Sequence, residues 1–241
     1  MAIKAIFFDL DNTLTHRDLT VQAFSRHLFK YYQSNLNLAE NHDPEIYIEK
    51  IIDIVRRIDN GGYPKKEVLT HPSIGASVAY ALIQELDWLK APNLDDLAQF
   101  WFQQFGLCAV AMDGAEVLLQ QLKQDQYKLA VISNGGHATR LKIIEGLGYL
   151  HYFDEIFSSE RVGVSKPKAE IFLHCCDHLN VSPAETLYIG DHPINDYQGA
   201  KNAGLYALWF EGFHDNQEND IPAQHQIQHL NQVLDYLNTI K

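Results

Sequence analysis

Two hydrophobic periodicities alternate along the chain. Ala5 to Phe8 is an unbroken apolar run, and further strands read at Tyr127 to Ile132, Phe153 to Ser158, Thr186 to Ile189 and Leu205 to Trp209. Short continuous apolar runs predict strands buried on both faces of a parallel sheet. Helical periodicity separates the later runs, over Ala115 to Lys123, His137 to Gly146, Ala169 to Leu179 and Ile194 to Ala203, with a last helix near Leu230 to Leu237. Strands alternating with helices predict a doubly wound, Rossmann-like α/β core. Between the first strand and the rest the pattern is helical only, over Leu19 to Leu36, Glu45 to Ile58, Ile74 to Leu89 and Leu94 to Gly106. The polar break from Asp59 to Lys66 reads there as an exposed loop. The expected organisation is a discontinuous core of residues 1–15 and 106–241 that carries an all-helical insert of residues 16–105.

Chemistry enters at the strand ends. The first strand runs into Asp9 and Asp11, at the edge where open α/β sheets place their ligands. If the backbone stays extended to Asp11, both carboxylates point to one side. Like charges ~5 Å apart repel by roughly 3 kcal/mol at an effective dielectric of 20. A bound hard cation or a protonated carboxyl would relieve that repulsion. Two plainer readings compete. Aspartates often end strands in turns, and Asp9, Asp11 and Thr13 fall on the alternate positions of a calcium loop. The loop fails on spacing, because Leu14 stands where a glycine is required and Thr20 where a glutamate is. The later strands end in Ser133, Asn134, Gly135 and Gly136 before a helix, then Lys166 and Pro167, then Gly190, Asp191 and Asp196. Each has a bland reading as a cap, a turn or a surface lysine. In chain order they describe one crevice with a cation site and a phosphate site, the second served by a helix amino terminus.

Composition narrows the class. The formal charge of −12 disfavours nucleic acid and anionic membrane as partners. No apolar run approaches the ~20 residues of a membrane helix, and no signal-peptide pattern opens the chain, so a cytoplasmic location is expected. Three cysteines, Cys108, Cys175 and Cys176, suit neither a disulfide framework nor a zinc site and read as buried thiols. The sequon at Asn180 reads as a chance match.

The four motifs resemble those of the haloacid dehalogenase superfamily of aspartate-nucleophile phosphatases. Asp9, Asp11 and Thr13 look like its first motif, Ser133 and Asn134 its second, Lys166 and Pro167 its third, and Gly190, Asp191 and Asp196 its fourth. The insert resembles the small helical cap of the phosphoglycolate-phosphatase-like and nucleotidase-like branch. The resemblance implies a Mg2+-dependent phosphatase acting on a small phosphate monoester. Asp9 would be the nucleophile, Asp11 the general acid and then base, and Lys166 a further catalytic group. Thr13, Ser133, Lys166 and Asn134 would contact the phosphoryl group. Mg2+ would be held by the Asp9 and Asp191 carboxylates and the Asp11 carbonyl, with Asp196 orienting Lys166 or a metal-bound water.

An acid at Asp11 favours ester chemistry over dehalogenation, because a halide leaves without a proton. A sugar phosphomutase uses the same motifs and stays open as an alternative, as does a non-catalytic metal-binding scaffold. Leaving-group recognition is expected from the insert, with His16, Arg56, Arg57, Tyr63, Lys65, Lys66 and His71 as candidates. Phe100, Trp101, Phe102 and Phe105 have the helical spacing of cap-to-core packing rather than of a base-stacking platform. Nothing in the sequence chooses between a monomer and a homodimer.

Overall fold

The computed structural model describes residues 2–38, 43–215 and 221–240. It divides into two compact units, one built from residues up to His16 and from Ala111 on, the other from Arg17–Val110.

The first unit is a six-stranded parallel sheet of β1 (Ala5–Phe8), β2 (Lys128–Ser133), β3 (Glu155–Ser158), β4 (Thr186–Gly190), β5 (Tyr206–Phe210) and β6 (Gln226–Ile227), in the order β3-β2-β1-β4-β5-β6. All four residues of β1 are fully buried, which is why the strand reads as a continuous apolar run rather than an alternating one. Ala5, Phe7, Ala130, Ile132 and Tyr188 face one core cluster together with Phe172, Cys175 and Cys176. The two adjacent cysteines are free and buried. β6 was not foreseen. It has only two residues and follows a polar stretch, of which residues 216–220 lie outside the described residues. The chain leaves this unit at His16 and returns at Ala111 beside its own exit, where the Met112 amide donates to the Leu14 carbonyl at 2.9 Å.

The second unit contains α1 (Arg17–Tyr32), α2 (Pro44–Asp59), α3 (Ile74–Glu85) and α4 (Leu94–Gln104). Asp43, Ser73 and Asn93 cap the last three by accepting from Glu45, Ala76 and Asp96 amides, satisfying donors that a helix start leaves unpaired. Phe100, Trp101 and Phe105 pack with Phe24 at ring separations of 6.0, 4.9 and 5.4 Å. They therefore form part of this unit's own core, whereas Phe102 is exposed. Gly75 on α3 admits the indole, since a Cβ there would lie 2.4 Å from Trp101.

The polar break is exposed at Asn60, Gly61, Lys65 and Lys66, but Asp59 departs from that reading. It is fully buried and forms a two-point fork with Arg17, at 2.6 Å from Nη2 and 3.1 Å from Nε. Of the insert's substrate candidates, Arg56 is paired with Asp18 and Arg57 with Glu85. Among the described residues no helix is long and apolar enough to cross a membrane.

Candidate active site

In the strand order β3-β2-β1-β4-β5-β6 the connections reverse direction between β1 and β4, and such a reversal opens a crevice at the strands' carboxyl ends. Asp9 follows β1 and Asp191 follows β4, so the topology brings two carboxylates from distant parts of the chain to this point. The Asp9 amide continues the ladder by donating to the Ile189 carbonyl at 2.8 Å. The backbone then turns rather than staying extended. The amides of Leu14 and Thr15 converge on the Leu10 carbonyl at 3.0 and 2.9 Å, and Asn12 takes a positive φ of 56°.

That turn separates the two aspartates. The Asp11 carboxylate lies 3.2 Å from Arg140 Nη1, whereas Asp9 lies with Asp191 and Asp196, whose carboxylate oxygens are mutually within 4.8 Å. The Lys166 ammonium is set among them, 2.5 Å from Asp9 Oδ1, 2.6 Å from Asp196 Oδ1 and 2.9 Å from the Tyr188 hydroxyl. Lys166 is 4% exposed, so the surface-lysine alternative fails.

Three buried carboxylates around one ammonium leave two negative charges uncompensated. Burial is the largest cause holding Asp9 well above the usual carboxylate range, and the Asp196 and Asp191 charges add to it against the pull of Lys166. Asp191 is also raised by burial, with His214 opposing. For Lys166 burial favours the neutral amine, but Asp196 and Asp9 outweigh it and hold the ammonium above its ordinary value.

The cluster suits a hard divalent cation. Its donors are all carboxylate oxygens. Among the described residues Asp191 Oδ1 accepts no hydrogen bond, and Oδ2 faces the His214 imidazole at 3.2 Å. A buried, unsatisfied carboxylate is costly unless a ligand meets it. Asp196 differs, because Oδ1 receives Lys166 and Oδ2 receives the His192 amide at 3.0 Å. The Gly190 backbone runs so close to Asp196 that a Cβ would lie 2.4 Å from its carboxyl carbon, so the glycine of this motif makes room for the carboxylate.

The remaining predicted residues divide. Thr13 and Ser133 are buried, and among the described residues the Thr13 hydroxyl has no hydrogen-bond partner. The Asn134 side chain is engaged at both ends, accepting from the Lys166 amide at 2.9 Å and donating to the Lys166 carbonyl at 3.1 Å. It clamps the lysine-bearing loop to the end of β2. At the amino terminus of α5 (His137–Gly146) the His137 amide donates to Glu160 at 2.7 Å, and in the loop before it the Gly135 amide donates to Ser159 at 2.8 Å. The His137 amide is therefore closed to the anion expected there from the sequence.

Sequence reasoning missed Tyr188, Arg140, His192 and His214. A signal existed for Tyr188, because a phenol in a fully buried strand needs a partner for its hydroxyl. The His192 ring caps the turn after Asp191, its Nδ1 accepting from the Ile194 and Asn195 amides. Burial, reinforced by His214, pushes its pKa down to about 4, which suits an accepting, neutral ring.

One consequence is measurable without a substrate. A carboxyl raised in the folded state binds more protons folded than unfolded, so its stabilising contribution is complete below the ordinary carboxylate range and is lost as pH rises through the raised value. In EDTA, Asp191→Asn is expected to gain melting temperature relative to wild type as pH rises from about 4 towards neutrality, at about 2–4 °C per kcal/mol. A difference that stays constant across that range in melting scans would rule out an elevated Asp191.

A sequence profile described as haloacid dehalogenase-like hydrolase matches residues 3–204. The chain is similar to the N-acylneuraminate-9-phosphatase of Mus musculus, at 30% identity over 211 residues that cover 86% of this chain and 82% of the relative. It is also similar to the glyceraldehyde 3-phosphate phosphatase of Pyrococcus abyssi, at 31% identity over 210 residues that cover 87% and 82% of the two chains. Among solved structures, the HAD-hydrolase YfnB from Bacillus subtilis, crystallised with magnesium, shares the fold with a TM-score of 0.64 at 24% identity, covering 99% of this chain and 100% of YfnB.

Proposed function

The chain belongs to the haloacid dehalogenase-like hydrolases, and on that premise we propose that it is a Mg2+-dependent phosphatase that cleaves a small organic phosphate monoester through an aspartyl phosphate on Asp9. The observation that carries this reading is the cluster of three buried carboxylates with the Lys166 ammonium bonded to two of them. Similarity to two phosphatases supports ester hydrolysis over dehalogenation.

In this mechanism an Asp9 carboxylate oxygen attacks phosphorus as the ester P–O bond breaks. Asp11 delivers its proton to the departing oxygen, then takes one from the water that attacks the aspartyl phosphate and restores Asp9. Lys166 holds Asp9 in line and meets a phosphoryl oxygen, while the Thr13 and Ser133 hydroxyls donate to the others. Asp196 keeps Lys166 in place. Asp9 and Asp191, with the Asp11 carbonyl, would hold Mg2+, which when bound supplies the charge that offsets the carboxylates and the phosphoryl oxygens. Leaving-group selection is assigned to the helical insert.

The test is phosphate release from p-nitrophenyl phosphate and from a panel including N-acylneuraminate 9-phosphate and glyceraldehyde 3-phosphate. Turnover is expected with Mg2+, to vanish in EDTA and to return when Mg2+ is restored. Turnover indifferent to EDTA, or none on any ester, contradicts the proposal.

A further inference from the structure

Arg140 stands one helical turn inside α5 and its guanidinium is held in a fixed plane. Nε donates to the Asn134 carbonyl at 3.1 Å and Nη2 donates to the same oxygen, which leaves Nη1 to face Asp11 Oδ2 at 3.2 Å. The side chain is only 14% exposed and that of Asp11 9%. Gly135 makes the placement possible. It takes a φ of +128°, and a Cβ there would lie 2.5 Å from Arg140 Nη2. The arginine thus bridges the loop after β1 to the loop after β2, and Asn134 in turn clamps Lys166.

We infer that Arg140 is a positioning residue for Asp11: it anchors one carboxyl oxygen so that the other is presented to the leaving group. The inference rests on the phosphatase reading. An arginine fork anchored through its other nitrogens gives a carboxylate a defined orientation, which a mobile lysine does not. General acid catalysis depends on such placement, because the acid must sit within hydrogen-bond reach of the oxygen it protonates. The demand is greatest for alkyl phosphates, whose alkoxide leaves poorly without a proton. It is small for p-nitrophenyl phosphate, whose phenolate leaves unaided.

The experiment compares kcat/KM, which reports the steps through leaving-group departure, for wild type, Arg140→Ala and Arg140→Lys on an alkyl phosphate and on p-nitrophenyl phosphate. Arg140→Ala is expected to lose about 100-fold on the alkyl ester and only a few-fold on the aryl ester, whose retained turnover also shows that the variant folds. Arg140→Lys is expected to show the same asymmetry at intermediate size, and it carries the test if the alanine variant does not fold. Equal losses on both esters, with weaker inhibition by inorganic phosphate, would make Arg140 a phosphoryl ligand and overturn the inference. So would unchanged kinetics in both variants. If wild type turns over neither ester, the phosphatase reading fails instead, which separates the two outcomes.

Discussion

The Asp9→Asn protein is expected to lose at least about 10⁴-fold in kcat on any phosphate ester while folding normally and melting, without metal, at or above the wild-type temperature. The two halves of this expectation have one cause. Asp9 is 3% exposed and its carboxyl is held well above the usual range, first by burial and then by Asp196 and Asp191. A neutral isostere removes one of the two uncompensated charges, and Lys166 keeps Asp196 as a partner. Active-site charge of this kind opposes folding, so its removal commonly stabilises. The amide is no nucleophile, however, and a neutral oxygen is also a weaker cation ligand. Kinetics and melting curves of the same preparation, with EDTA and with Mg2+, provide the check. Retained turnover would place the nucleophile elsewhere, and a large drop in metal-free melting temperature would mean that Asp9 supports the fold rather than straining it.

Lys166→Met should have the opposite effect on stability. The thioether keeps most of the volume of the stem, but the change strips the ammonium from Asp9, Asp196 and the Tyr188 hydroxyl. Removing one partner of a buried ion pair costs about 3–5 kcal/mol, because the other charge stays buried without compensation. We expect a loss of that size in urea denaturation at neutral pH in EDTA. It should shrink as pH falls, since protonated carboxyls no longer need the cation. Mg2+ should recover part of it, by about 2.7 kcal/mol at a hundredfold excess over Kd. Activity should fall with it, because Lys166 orients the nucleophile. Wild-type stability at neutral pH without metal would show that the carboxylates are not held charged around this lysine.

These expectations draw on features of unequal visibility in the chain. β1 and β4 are legible because each is an apolar run closed by an aspartate. Asp59 was misread because its neighbours Asn60, Gly61 and Gly62 have turn composition, while its partner Arg17 lies 42 positions away. Asn134 and the α5 amino terminus read as ligand contacts because the groups that engage them, the Lys166 backbone and Glu160, lie on later segments.

The sequence by itself determined five of the six strands, the run of helices between the first two, and acid and hydroxyl at strand ends, because burial on both faces and the ends of strands leave local marks in residue order. Only the tertiary structure decided which carboxylate meets which cation. Asp9 and Asp11 stand two residues apart, yet the turn over Leu10 sends one to Lys166 and the other to Arg140. Such pairings depend on distances and directions set by strand order and loop geometry, and electrostatic interaction at a few ångströms has no counterpart in spacing along the chain.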